Sequence, residues 1–362
     1  MTLYSKTRSL SSALTAHEQR RAIEARRSGR KMIAAAVMLG GAAMTITGCA
    51  THSRSKSAAT EGDTLRIGVI GSNNTPGGPE GWAARHGLLL PSLKSQGVRK
   101  IQFVSFTGGP YLNEALAAGA LDVGIYGDTP AIVGHSAGLP TRLINQNAVG
   151  MNAWLIVRQD GPKTVADLKG KTIGTGRGSY MARYVEGLLT GAGIRKDVKV
   201  ANINTQEGEA AVKRGDLAAF TGSGPLEVQR GFRVLDEAAR HPGLEGTTVT
   251  VVTQSYLDSH PSFPAEWNKA RAAWIDDLSS HQDDYFQETA SHAGVPPAIY
   301  KQINPLQYYV KEPITQRGLA LLNGTKDFLV QQRFARKDFA VDSWLASPAP
   351  GVHTASRKSE GQ

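Results

Sequence analysis

Cysteine is nearly absent: Cys49 is the only one in 362 residues. No intrachain disulfide can form, so the fold must rest on an apolar core, and a chain this long can bury one. No apolar run reaches the roughly 20 residues of a membrane-spanning helix. The longest, residues 32–46, stops short. The metal-binding pattern H-E-x-x-H is missing and histidines such as His86, His135, His241, His260, His281 and His292 stand apart, so no metal is expected. There is no G-x-x-x-x-G-K-[ST] phosphate loop, and Gly174, Gly176 and Gly178 put Ser179 where a dinucleotide fingerprint needs glycine. The formal charge of +10 misleads, because residues 1–48 hold eight Lys/Arg against two Asp/Glu. The remainder is mildly basic, with no Lys/Arg–aromatic cluster, so nucleic-acid binding is not expected. Gly134-His-Ser-Ala-Gly138 matches a nucleophile elbow, but Thr129-Pro130 opens a helix before it, so Ser136 lacks the strand that motif requires.

What is there begins with a leader. Arg20, Arg21, Arg26, Arg27, Arg30 and Lys31 precede the uncharged segment 32–46, the layout of a secretory signal peptide. It runs into Ile46-Thr-Gly-Cys49, which resembles a bacterial lipobox cleaved before Cys49. The expectation is a signal peptide over 1–48, lipidation at Cys49 and a polar tether over 49–62. Met32 is an alternative start. The expected location is outside the cytoplasm, in the periplasm or on the outer face of the cell membrane.

From Leu65 strands and helices alternate. Strands are expected at 65–70, 101–106, 121–126 and 142–145, with helices at 82–96 and 111–118 and a third opening at Thr129-Pro130. A second α/β unit has strands at 153–157, 171–175 and 198–203, and a return strand at 247–253. Helices follow at 265–278, 297–302 and 314–330, and the tail 346–362 is expected to carry no fixed structure. Alternation of this kind argues for parallel, doubly wound sheets with ligands at the carboxyl ends of their strands. The densest stretch is 165–180. Thr164 and Asp167 suit a capping box, Gly170 a helix end, and Gly176-Arg-Gly178 a turn before a helix capped by Ser179. Such a helix start is an anion site in waiting.

Asp167-Leu-Lys-Gly-Lys-Thr-Ile-Gly with Arg177-Gly-Ser179 resembles the second-lobe signature of solute-binding proteins of ABC importers. Gly119-Ala-Leu-Asp-Val-Gly-Ile-Tyr-Gly-Asp-Thr-Pro-Ala131 and Val212-Lys-Arg-Gly-Asp-Leu-Ala-Ala-Phe220 are similar to motifs of the branch for aliphatic sulfonates, taurine and nitrate. The resemblance implies an α/β, two-lobed periplasmic binding protein fold of type II, each lobe a doubly wound sheet, with a ligand cleft between lobes. It implies lobe 1 from 64–150 with 250–345 and lobe 2 from 151–245. By position it offers Ser72, Asn73, Thr107, Gly108, Asp128 and Thr129 from the first lobe. Gly178, Ser179, Tyr180, Gly222 and Ser223 come from the second. For Asp128 the alternatives are binding an amino group on the solute and capping its helix, and capping is the favoured one. The implied function is capture of a small anionic solute, sulfonate or taurine-like, for a permease and its ATPase, by a monomer without cofactor or catalysis. Many relatives carry an aromatic and Asp-Pro-Tyr after the Phe220 position, where this chain has Thr221-Gly-Ser-Gly-Pro-Leu-Glu227. A larger neutral or aromatic solute, for import or sensing, is therefore the second reading. A relative of the pyrimidine synthases that share this fold is a third.

Overall fold

The computed structural model describes residues 64–71 and 74–346. The leader, Cys49, the tether and the tail from 347 lie outside the described residues, as do Ser72 and Asn73. The first sheet starts with β1 (Thr64–Ile70), and then come α1 (Gly78–Arg85) and α2 (Leu89–Ser92). Next are β2 (Lys100–Phe106), α3 (Gly109–Ala117), β3 (Val123–Gly127), α4 (Asp128–Ser136) and β4 (Thr141–Met151). The second sheet is built from β5 (Trp154–Arg158), β6 (Thr172–Thr175), α5 (Tyr180–Gly191), β7 (Lys199–Asn202) and α6 (Thr205–Arg214). It ends with β8 (Ala219–Gly222), α7 (Pro225–Gln229) and β9 (Phe232–Glu237). The chain then returns through β10 (Gly246–Thr253) to α8 (Gln254–Ser259), α9 (Phe263–Ser280) and α10 (Gln282–Ala293). It closes with α11 (Pro297–Ile303), α12 (Gln316–Gln331) and α13 (Val341–Trp344).

Strand order is β2-β1-β3-β10-β4 in one sheet and β7-β6-β8-β5-β9 in the other. Both sheets are mixed, which corrects the expected parallel arrangement. β10 runs antiparallel to β3 and β4, and β5 antiparallel to β8 and β9. Each of these strands is the first one laid down after a crossover between sheets. It enters where the parallel strands end, so it must run against them.

Apolar side chains leave each sheet on both faces. Leu65, Ile67 and Val69 of β1 join Phe263, Trp267 and Trp274 on one side. On the other, Val249 and Val251 of β10 meet Leu112, Ile132, Leu322 and Leu329 of α3, α4 and α12. In β5, Leu155 and Val157 pack with Tyr184 and Leu188, whereas Trp154 and Ile156 pack with Phe220 and Phe232.

Several expected boundaries move for local reasons. The helix expected over 82–96 breaks after Arg85, because Gly87 takes φ +69°, a left-handed conformation glycine adopts freely. The cap of α6 is Asn204, whose side chain accepts from Glu207 N. Residues 165–168 form a single 3-10 turn with the expected capping box. Backbone N–H groups of Thr164 and Lys163 hold the exposed Asp167 carboxyl below its ordinary pKa.

Candidate ligand-binding site

α3, α4 and α5 are among the helices that start at the carboxyl ends of parallel strands. α3 follows Thr107 and Gly108, and Gly109 lies under Pro130, where a Cβ would come within 2.3 Å of its ring. That contact sets the starts of α3 and α4 side by side. α5 starts after Gly178, at φ +73°, and Ser179. The Ser179 hydroxyl donates to Gly176 O (2.7 Å) and accepts from Ala182 N (3.3 Å). Ser179 is therefore a working cap with its proton already engaged. The N–H groups ahead of Ala182 have no intrahelical partner.

A cavity of about 450 Å³ opens between α4 and α12 on one side and α5, β6 and β7 on the other. Thr129, Val133, Phe328, Leu329 and Phe334 form one wall, and Thr175, Arg177, Gly178, Ser179, Ala182 and Arg183 face them. Glu186 and Arg195 line its far end as an ion pair, with Arg195 Nη2 2.9 Å from Glu186 Oε1. Of the residues expected from sequence, the cavity brings together Thr129, Gly178 and Ser179. Thr107, Gly108, Tyr180, Gly222 and Ser223 do not line it.

Asp128 is fully buried and does not line this cavity. One carboxylate oxygen accepts from Thr129 N and Oγ1, the other from Thr247 and Thr325 hydroxyls. It satisfies a first-turn N–H and knits α4 to β10 and α12. Tyr180 belongs to the crossover instead. Its hydroxyl donates to Asn152 O (3.1 Å), its ring lies against Gly246, and burial pushes its pKa up.

The glycines after Phe220 leave no room for a larger solute. A Cβ at Gly224 would come within 2.5 Å of the Trp154 ring, and one at Gly222 within 2.8 Å of the Glu227 carboxylate. Glu227 is 1% exposed and its Oε2 has no partner. Burial raises its pKa, offset in part by the Ser223 N–H. A raised folded-state pKa contributes stability below the unfolded value and loses it as pH rises through the folded value. Glu227→Gln should therefore raise Tm by a few degrees at pH 8, with the gain shrinking toward pH 4. Thermal melts across that range check it, and a pH-independent difference would remove the buried charge as its cause.

Arg183 was invisible to motif reading. It lies one turn after Ser179 on a helix face otherwise built from Tyr184, Val185 and Leu188, and a charge on such a face is the signal that could have found it. It is 2% exposed. Its Nη1 donates to Gly243 O (2.8 Å) and its Nη2 to Glu245 O (2.5 Å), both in the second crossover. Its Nε has no partner. Burial pulls its pKa down, and the charges of Asp128 and Glu245 offset part of that.

A second cavity, about 170 Å³, covers the ends of β1, β3 and β4. Gly77, Gly78, Asn147, Met151, Tyr300, Tyr308 and Tyr309 line it, and none of the expected site residues among the described residues does. The G-x-S-x-G serine is no nucleophile here. Ser136 lies on α4, donates to Val133 O and accepts from Arg336 N.

Comparison with known proteins bears on the fold. Residues 100–231 match the family described as NMT1/THI5 like. The fold is that of the periplasmic binding proteins. An Escherichia coli (strain K12) protein named for aliphatic sulfonate binding is 28% identical over 265 residues, covering 69% of this chain and 80% of that one. The alkanesulfonate-binding protein SsuA from Xanthomonas axonopodis pv. citri, solved with MOPS bound, superposes with a TM-score of 0.65 at 23% identity. That match covers 79% of this chain and 99% of SsuA. The desulfurization enzyme DSZB shares the fold at 18% identity and a TM-score of 0.59, over 78% of this chain and 96% of its own. The fold therefore serves binding proteins and an enzyme alike, and function has to be argued from the site.

Proposed function

We propose that this chain is the extracytoplasmic solute-binding component of an ABC importer, capturing a small anionic organic solute of the aliphatic sulfonate or taurine class. In this reading the leader 1–48 is removed and Cys49 carries the lipid anchor. Lobe 1 (64–150 with 250–345) and lobe 2 (151–245) close on the solute, and the loaded monomer delivers it to the permease and its ATPase. The observation that carries the reading is the cavity between α4 and α5, which joins a free helix start to a buried guanidinium. Both suit an oxyanion that must be held and then released. The relatives named for sulfonate binding support the same class.

Calorimetry on the purified full chain tests it, with taurine, ethanesulfonate, butane-1-sulfonate and nitrate set against butyl methyl sulfone, a neutral isostere. Saturable binding of a sulfonate, at least ten-fold tighter than the sulfone, is expected. Equal affinity for the sulfone overturns the anion reading. It would favour a larger neutral or aromatic solute, for which the apolar wall of Val133, Phe328, Leu329 and Phe334 is the supporting observation. The intact mass of protein from membranes checks the anchor, and a mass without lipid at Cys49 refutes it.

A further inference from the structure

We propose that Arg183 selects for an anion in this cleft and couples its capture to the crossover between the lobes. The inference rests on the reading above and deepens it. A guanidinium 2% exposed is costly unless a counter-charge answers it. The two nearby carboxylates are directed elsewhere. Asp128 is bonded by Thr129, Thr247 and Thr325. Glu245 turns its carboxylate to Gly243 N (2.7 Å) and Arg317 (3.2 Å), offering Arg183 only its backbone oxygen. Arg183 thus has two carbonyl partners, an unpartnered Nε and a place in the wall of the cavity.

The other cations of that wall do not substitute for it. Arg177 is exposed, and Arg195 is already paired with Glu186. Arg183 Nε is closed off from the cavity, so an anion seated below the start of α5 would act on the guanidinium as a counter-charge across the cavity wall. The same guanidinium grips Gly243 and Glu245, so its position is shared between solute and crossover. An uncharged solute of the same shape gives it no counter-charge.

The test uses the full chain with butane-1-sulfonate and butyl methyl sulfone as probes. Arg183→Met is expected to weaken sulfonate binding at least ten-fold more than sulfone binding, with Arg183→Lys intermediate. In the unmutated chain, the Nε–H resonance of Arg183, assigned by its loss in Arg183→Lys, should shift saturably with sulfonate and not with sulfone. A role in holding the crossover alone predicts equal losses for both probes and no sulfonate-specific shift, and that result overturns the proposal while sulfonate binding stands. If Arg183→Met fails to fold, the resonance of the unmutated chain decides. Absence of sulfonate binding to the unmutated chain overturns both readings together.

Discussion

Arg271→Met is expected to destabilise the protein by about 3–5 kcal/mol, the cost typical of leaving one partner of a buried ion pair alone. Arg271 of α9 and Glu80 of α1 are bonded at 2.8 Å with side chains 1% and 2% exposed, so water screens neither. The arginine also donates to Asn147 O (2.7 Å) in β4 and Val310 O (2.6 Å) beyond α11. Methionine fills much of the same volume but leaves a buried carboxylate and two carbonyls without donors. Removing both charges should cost less than the sum, because Glu80→Gln in the same chain removes the stranded charge. Denaturant unfolding of the two single variants and the double checks this. A loss below about 1 kcal/mol for Arg271→Met would mean that water or a rearranged loop replaces the arginine.

Arg271 also marks where sequence reading stops. The alternation that revealed β1, β2, β3 and β10 is a local pattern of apolar residues, and short-range chemistry placed the Thr164–Asp167 box and the Ser179 cap. The apolar pattern marks β4 only over 142–145, because Gln146 and Asn147 look like loop residues. In the fold they are interior strand residues, bonded to Gly318 O and the Thr250 hydroxyl. β9 and α10 carry no such local pattern. β9 mixes apolar residues with Arg233, Asp236 and Glu237, and pairing with β5 decides its state. α10 buries only a narrow face of Tyr285, Phe286, Thr289 and Ala290.

The candidate site divides in the same way. Gly178 and Ser179 were legible because a glycine turn and a helix cap announce themselves within a few residues. Their company was not. Phe328, Leu329 and Phe334 reach the cavity from α12 and the segment after it, roughly 150 residues further along the chain, and no spacing rule spans that distance. Asp128 reads as a ligand or a cap, and only the approach of Thr247 and Thr325 turns it inward. The glycines at 222 and 224 read as open space until Glu227 and Trp154 fill it.

Tyr180 is the clearest such reassignment, and Gly246→Ala tests it. Gly246 is buried at the start of β10, just after the second crossover, and its φ is not left-handed. Conformation would therefore admit alanine; space does not. A Cβ there would lie 2.3 Å from Tyr180 Cδ2 and 2.5 Å from Cγ, well inside contact distance. The ring cannot simply swing away, because its hydroxyl is tied to Asn152 O in the first crossover. Asn152 in turn accepts from Ala153 N and Ala239 N and donates to Glu237, so it bonds across both crossovers. One methyl group should thus press on both connections, and overpacking of this kind costs about 1–3 kcal/mol. In a Tyr180→Ala background the same methyl meets the space left by the ring, so its penalty is expected to fall below about 0.5 kcal/mol. Four denaturation curves complete the cycle. If Gly246→Ala costs as much without the ring as with it, the strain lies in the backbone of the crossover, and Tyr180 is not its source.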